Sequence, residues 1–323
     1  MQVTNKTAVE PAGKKPMGQR VKQFAVDFKR QWELQSMILP GILFMIIFCY
    51  IPIYGLLIAF KSYTVIDTID SAPWVGLQNF EIILSDKYFW ESVVNTLAIS
   101  FLKLAIGFVI PIILAIMIYE VSISRFKKFV QTISYLPHFL SWIVLGGMLI
   151  TWFSTTGLWN QLLMGLGLIS QPENILLDPD KYWWIATLSD IWKEAGWGTI
   201  LYLAVMAQID PTYYEAAKID GASRLKQIWY ITIPNMKMII SLNLILTVSG
   251  LLGSNLDQTL VLMNSQNRET AEVINSYVYR MGLTQGDFSY ATAVGLGVSI
   301  VSVILLVTAN KVTSKLNDNQ SVL

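Results

Sequence analysis

"YYEAAKIDGASRLKQIWYITIP", Tyr213–Pro234, is a charged stretch between two apolar runs of a 323-residue chain. Connections longer than about 12–15 residues are uncommon in compact proteins unless they carry a function. The stretch has the features of two short helices joined by a hinge. Asp210 suits an N-cap and Pro211 the first helical position. Glu215, Ala216, Ala217 and Lys218 favour helix, and Gly221 can end it in a left-handed conformation. A restart at Ala222 or Ser223 places Ala222, Leu225 and Trp229 on one face. Pro234 is expected to break the path before the next apolar run. Small residues at 216, 217, 221 and 222 let another surface approach the backbone closely. Two readings follow: a knob that docks into a groove of a soluble partner, or a hairpin resting on its own membrane domain.

The flanking runs set the context. The chain is 54% hydrophobic and 14% charged, where a soluble domain has about 25% charged residues. Mean hydropathy is +0.50. That composition excludes a water-soluble globule and predicts an all-α integral membrane protein. The single cysteine, Cys49, cannot form an internal disulfide. The first thirty residues are basic and polar, unlike a cleavable signal peptide.

A bilayer core needs about 20 apolar residues per helix. Six segments qualify: 37–60, 92–119, 129–153, 183–208, 238–262 and 290–311. The first 36 residues and the segments 120–128, 209–237 and 310–323 hold 7, 3, 4 and 2 of the 23 Lys and Arg residues. The opposite loops, 61–91, 154–182 and 254–289, hold 2, 1 and 2. Positive-inside bias makes the first face, with both termini and the quoted loop, cytoplasmic. The expected organisation is a basic arm over 1–36, a transmembrane domain over 37–311 and a tail over 312–323. In the arm, Val21, Phe24, Phe28 and Trp32 recur at helical spacing among basic residues, the pattern of an interfacial helix.

Charges at membrane depth face a bundle interior or an aqueous cavity. Asp190, Lys193 and Glu194 share a face of the fourth span. An Asp190–Lys193 ion pair is the plain structural alternative. In the fifth span "GSNLDQ" interrupts the apolar pattern, either as backbone lining a cavity does or as the outer end of the helix. Indoles, amides and carboxylates suit the hydroxyls and apolar faces of sugars. The candidate pathway residues are Trp192, Lys193, Glu194, Asp190, Asn255, Asp257, Gln258 and Lys103. For Lys103 the choice is a carboxylate partner or a cavity cation. His138 follows Pro137 and reads as packing at a proline kink, and no metal site is expected. Tyr277, Tyr279 and Arg280 lie in an outer loop long enough to meet a substrate-delivering protein.

The opening stretch resembles the EAA signature of permease subunits of bacterial ATP-binding-cassette importers, with Glu215, Ala216, Ala217, Gly221, Ile231 and Pro234 in its positions. Asp220, Gly221, Ala222 and the preceding Ile209-Asp210-Pro211 are similar to the carbohydrate-uptake branch. "ILPGILFMIIFCYIPIYGL", "WVGLQNF", "NTLAIS", "YLPHFLSWIVLGG", "DIWKEAGWG" and "FSYATAVG" look like that branch too, and several match importers of oligosaccharides such as pectin fragments and alginate. The resemblance implies that Glu215, Ala216, Ala217, Asp220, Gly221 and Pro234 form a coupling helix seated on an ATPase subunit. It also implies a second homologous permease, two ATP-binding subunits that hold ATP and Mg, an extracytoplasmic solute-binding protein and a place in the bacterial inner membrane. The implied cargo is an oligosaccharide, with an acidic, alginate-like sugar as the leading reading. No cofactor is expected in this chain, and no nucleic-acid partner.

Two other classes compete. A secondary transporter would use Asp190, Lys193 and Glu194 as an ion relay. An intramembrane enzyme would need a nucleophile or metal cluster, for which one Cys and one His in different spans are poor material. No G-x-x-x-x-G-K-[ST] occurs, so a P-loop ATP site is not expected here.

Overall fold

The computed structural model of the chain describes residues 32–253 and 256–316. Val21, Phe24 and Phe28 of the expected interfacial helix and the candidate Asn255 lie outside the described residues. The chain divides into two compact units, Met1–Leu56 and Leu57–Leu323. Among the described residues the structure is helical, and an isolated antiparallel bridge, Lys61 to Trp74, is the extent of β pairing.

In the first unit, α1 (Trp32–Met45) passes into a π turn, Ile46–Tyr50, and the chain then continues as a 3-10 helix, Ile51–Phe60. Met37, Ile38, Leu39, Ile42 and Phe44 are all exposed. A helix apolar around its circumference suits lipid rather than a water-facing role.

The second unit contains α2 (Gln78–Ser85), α3 (Lys87–Leu102), α4 (Val109–Glu120), α5 (Ser124–Tyr135), α6 (Trp142–Phe153), α7 (Leu158–Gly165) and α8 (Tyr182–Met206). These are followed by α9 (Pro211–Ile219), α10 (Arg224–Gln227), α11 (Ile233–Ser249), α12 (Leu256–Leu262), α13 (Arg268–Ala271), α14 (Ile274–Tyr279) and α15 (Phe288–Leu316). Among the described residues five helical stretches are long and apolar enough to cross a membrane: Trp32–Phe60, Lys87–Glu120, Trp142–Gly165, Arg224–Ser249 and Phe288–Lys315. The 25-residue α8, where the fourth span is expected, is about 37 Å long at 1.5 Å per residue. Its three charges keep it out of that apolar set.

Three expectations need correction. The third span is not continuous over 129–153: α5 ends in a 3-10 turn, Leu136–Phe139, Leu140 is extended, and Ser141 caps the restart at α6 by accepting from Val144 N. Pro137, which lacks an N–H and clashes with the preceding turn, sits where regular helix stops. The fifth span ends at Ser249 rather than running to 262, with turns over Gly250–Gly253 before α12. Pro234 does not break the chain. It lies in the first turn of α11, after a π turn Ile228–Thr232 in which the Ile233 N–H reaches back to the Ile228 carbonyl. Within the continuous helical stretch Arg224–Ser249 the wider π turn relieves the clash of the proline ring with the carbonyl of the preceding turn, so the proline is tolerated.

Three clusters hold the second unit together. One joins Ile99, Leu145, Leu149, Tyr182 and Leu262. A second gathers Ala59, Ile83, Ile274, Tyr277, Tyr290 and Val294. The third, around Ala115, Tyr202, Met206, Ile209 and Met236, lies beneath α9. Asp86 pins the second cluster: its carboxylate accepts from Tyr88 N, the Tyr277 hydroxyl and, at 3.0 Å, the Tyr290 hydroxyl. Partial burial pushes the Asp86 carboxyl up, but hydrogen bonds from Tyr277, the Tyr88 backbone and Tyr290 outweigh it and hold the group below the ordinary aspartate value.

α5 and α8 cross at backbone distance. A methyl group on Gly196 would lie 1.9 Å from the Ser134 carbonyl oxygen, so only glycine permits the crossing. Forcing backbones apart costs at least the about 1–3 kcal/mol typical of overpacking. Gly196→Ala should therefore lower the thermal unfolding midpoint of the detergent-purified protein and its yield. An unchanged midpoint would show that the crossing has slack.

Candidate functional site

Asp190, Glu194 and Trp197 of α8 line one wall of a cavity of about 1080 Å³, with Lys103, Trp142 and Asp257 on other parts of its lining. Small-ligand pockets span about 300–1,000 Å³, so the space accommodates a ligand larger than one sugar ring. At 100° per residue Glu194 stays within about 40° of Asp190, whereas Lys193 swings about 60° to the other side. The three charges thus divide between two surroundings.

Lys103 sits on a π turn, Lys103–Gly107, that links α3 and α4. Its Nζ lies 3.0 Å from Asp190 Oδ2 and 3.3 Å from Gln258 Oε1. It is both partner and lining residue, which joins the two alternatives left open for it. The expected Asp190–Lys193 pair is replaced by Asp190–Lys103. Gln258 is corrected from pathway to support: it is 1% exposed, does not line the cavity, and donates to Ala186 O and Ser189 Oγ at 2.7 and 2.9 Å.

Lys193 is also off the cavity. It is 6% exposed, and its Nζ donates to the His138 carbonyl at 2.7 Å and to Glu194 Oε1 at 3.0 Å. Trp192 packs on Trp152, with ring centroids 6.0 Å apart, and lines a separate apolar groove with Trp184 and Leu188. Trp197 takes the cavity place expected of Trp192. Its ring lies parallel to His138 at 4.3 Å, and His138 Nδ1 is 2.6 Å from Glu194 Oε2. His138 is thus a wall-building residue rather than kink packing alone. Asp257 lines the cavity. Trp142, Asn243 and Asn275, which also line it, were not legible: each sits in a segment whose local pattern is ordinary helix or loop.

The stretch Tyr213–Pro234 forms a helix–turn–helix knob. The Asp210 side chain accepts from Thr212 N at 2.9 Å, and Ser223 caps α10. Gly221 adopts φ +73° with open space beside it. Ile209, Tyr214 and Ile231 pack into the cluster beneath, and Tyr214 shares a 3.0 Å hydrogen bond with Thr232. Glu215, Ala216, Asp220 and Pro234 are exposed, as are Ile219, Leu225 and Trp229. Ala217 is half-buried. One face of the loop therefore rests on the bundle, and the other is bare.

Elsewhere, Tyr277 is fully buried and offers no surface for an incoming protein, because its ring fills the second cluster and its hydroxyl is committed to Asp86 and Tyr290. Tyr279 is 40% exposed. Arg280 forms a fork with Glu272, Nε–Oε1 at 2.7 Å and Nη2–Oε2 at 3.0 Å, and lines a polar recess of about 510 Å³ with Lys87, Glu91 and Glu269. Among the described residues no group of His, Cys, Asp and Glu side chains could hold a metal ion.

A family model described as "Binding-protein-dependent transport system inner membrane component" matches residues 107–317. The chain is 41% identical to a Bacillus subtilis protein named as a polygalacturonan/rhamnogalacturonan transport system permease, over 92% of each chain. It is 39% identical to Protein LplB of the same organism over 89% of this chain and 90% of that one. A crystal structure of a bacterial ABC transporter involved in the import of the acidic polysaccharide alginate superposes with TM-score 0.84 at 36% identity, covering 91% of this chain and 99% of the other. A second crystal structure, of the bacterial alginate ABC transporter in complex with an alginate pentasaccharide-bound periplasmic protein, gives TM-score 0.84 at 35% identity over 91% and 98%.

Lys103→Met would leave the Asp190 carboxylate beside the cavity without its counter-charge. Loss of one member of a buried pair costs about 3–5 kcal/mol, and Asp190, with 26% of its side chain exposed, should fall at or below the low end. The single variant should unfold at lower temperature than Lys103→Met/Asp190→Asn. Equal midpoints for the two would show that the pair contributes nothing.

Proposed function

This chain belongs to the family of binding-protein-dependent transport system inner membrane components, and on that premise we propose that it passes an acidic oligosaccharide into the bacterial cytoplasm by alternating access. As a family member it is the non-catalytic membrane component of an ATP-driven sugar importer, and hydrolysis falls to other subunits. The observation that carries the proposal is the continuity of α8. The middle and C-terminal part of this helix, from Asp190 to Tyr202, forms a wall of the cavity, and its C-terminal end passes through four residues, Ala207–Asp210, into the knob. From Glu194 to Met206 is about 18 Å at 1.5 Å per residue.

In this reading α8 is the sixth crossing, its charges tolerated because they face the cavity or find partners. The basic segments put both termini and the knob in the cytoplasm. There Glu215, Ala216, Ala217, Asp220, Gly221 and Pro234 meet an ATP-binding subunit, with Ile219, Leu225 and Trp229 as apolar contacts in its groove. A second permease completes the pathway, and a solute-binding protein delivers the sugar on the outer side, near Tyr279 and Arg280.

The cavity suits a sugar: Trp142 and Trp197 offer ring faces, and Asp190, Glu194 and Asp257 accept hydroxyl hydrogen bonds. An acidic cargo is supported by the pectin-type name of one relative and the alginate described for the structural neighbours. In this subunit three carboxylates line the cavity against one ammonium, Lys103. The further cations that uronates require would then come from the second permease. An ion-relay transporter is not favoured, because Asp190 and Lys193 are committed to separate partners, Lys103 and the His138 carbonyl.

Gly221→Val would place a β-branched residue at φ +73°, a conformation L side chains rarely adopt. Gly221→Val and Glu215→Lys should abolish uptake in the reconstituted complex while leaving membrane insertion intact. Normal uptake in both would remove the coupling role. Binding of uronate oligomers by the cognate solute receptor, measured calorimetrically, should exceed that of neutral maltodextrins by about tenfold or more, about 1.4 kcal/mol. A preference for maltodextrins would reject the acidic cargo.

A further inference from the structure

The ammonium of Lys193 occupies a site in which each of its three donors has a direction. One bonds the His138 carbonyl at 2.7 Å, one bonds Glu194 Oε1 at 3.0 Å, and the Trp142 ring centroid lies 5.9 Å away, within cation–π range. These contacts are not equivalent in the chain. His138 lies in the 3-10 turn that breaks the third span, Trp142 opens the helix after the break, and Glu194 is on α8. One buried cation thus ties both sides of the interruption to α8.

The consequence reaches the cavity through Glu194. With Oε1 held by Lys193, Oε2 points to His138 Nδ1 at 2.6 Å. The His138 ring, fixed at its carbonyl and at Nδ1, lies flat on Trp197, 4° from parallel. Phe139 meets the same indole edge-on at 5.6 Å. Trp197 is 43% exposed and forms part of the cavity wall. From these distances we infer that Lys193 is a positioning residue for transport. It sets the orientation of the Trp197 indole and the Glu194 carboxylate through the broken third span, without touching the cargo. A helix broken at membrane depth leaves carbonyls without intrahelical donors, and an ammonium is one of the few side chains able to satisfy one while staying buried.

This inference rests on the cavity being the sugar's path, and the test separates the two. Uptake by the reconstituted complex of this chain with its partner permease, ATPases and receptor is measured against the concentration of sugar-loaded receptor. Lys193→Met should raise the half-saturating concentration about tenfold, the scale of losing one well-made contact. Trp197→Ala should raise it at least as much. The double variant should be no worse than Trp197→Ala, because Lys193 acts through that ring. Lys193→Arg, which keeps the charge and the donors, should recover most of the loss. Effects that multiply in the double variant, or Lys193→Met with unchanged half-saturation, would overturn the positioning role. Unchanged half-saturation in Trp197→Ala would instead sink the cavity as the path. If Lys193→Met fails to assemble, Lys193→Gln, which keeps an N–H donor for the His138 carbonyl and removes the charge, takes its place in the same comparison.

Discussion

Burying charge in a chain with so little polar surface demands partners, and α8 carries three ionisable side chains within five residues. In low dielectric an unpaired ion is far more costly than in water. The structure meets the demand from three directions: Lys103 from the second span, the His138 carbonyl from the break in the third, and Gln258 behind Lys103 from the segment after the fifth. The helices around the cavity are held in register by these polar contacts. The apolar clusters supply bulk cohesion, whereas these contacts decide which helix faces meet.

The same helix carries the mechanical argument. Gly196 brings α5 against α8 at backbone distance, and Ile209 and Tyr214 bury the root of the knob in the cluster around Met206 and Met236. A push on α9 is therefore delivered to packed side chains rather than to a slack loop. Close-packed interiors transmit displacement because they cannot be compressed. That is the physical basis for linking the knob to the cavity in the proposed transport cycle.

Much of this architecture was legible. The apolar runs, the caps at Asp210 and Ser223, and the left-handed Gly221 are local features, and local physics fixes them. The errors have local causes too. Pro234 reads as a breaker until the preceding π turn shows how the helix accommodates it. The third apolar run gives no sign of its interruption beyond Pro137. Trp192 and Trp197 are equivalent as composition, but their five-residue separation turns them about 140° apart, one toward the cavity and the other toward Trp152. Tyr277 was assigned to an outer surface because its segment is a connection, and the structure buries it against Asp86 and Tyr290.

Sequence by itself determined the membrane class, the apolar runs and the two-helix knob, because hydropathy and capping depend on residues close together in the chain. Tertiary structure decided the polar partners: Lys103 for Asp190 across 87 residues, the His138 carbonyl for Lys193 across 55 and the His138 ring for Glu194 across 56. Such pairings depend on how helices cross and which way each is rotated. Those quantities are set by side-chain packing and glycine contacts between distant segments, and no local pattern encodes them.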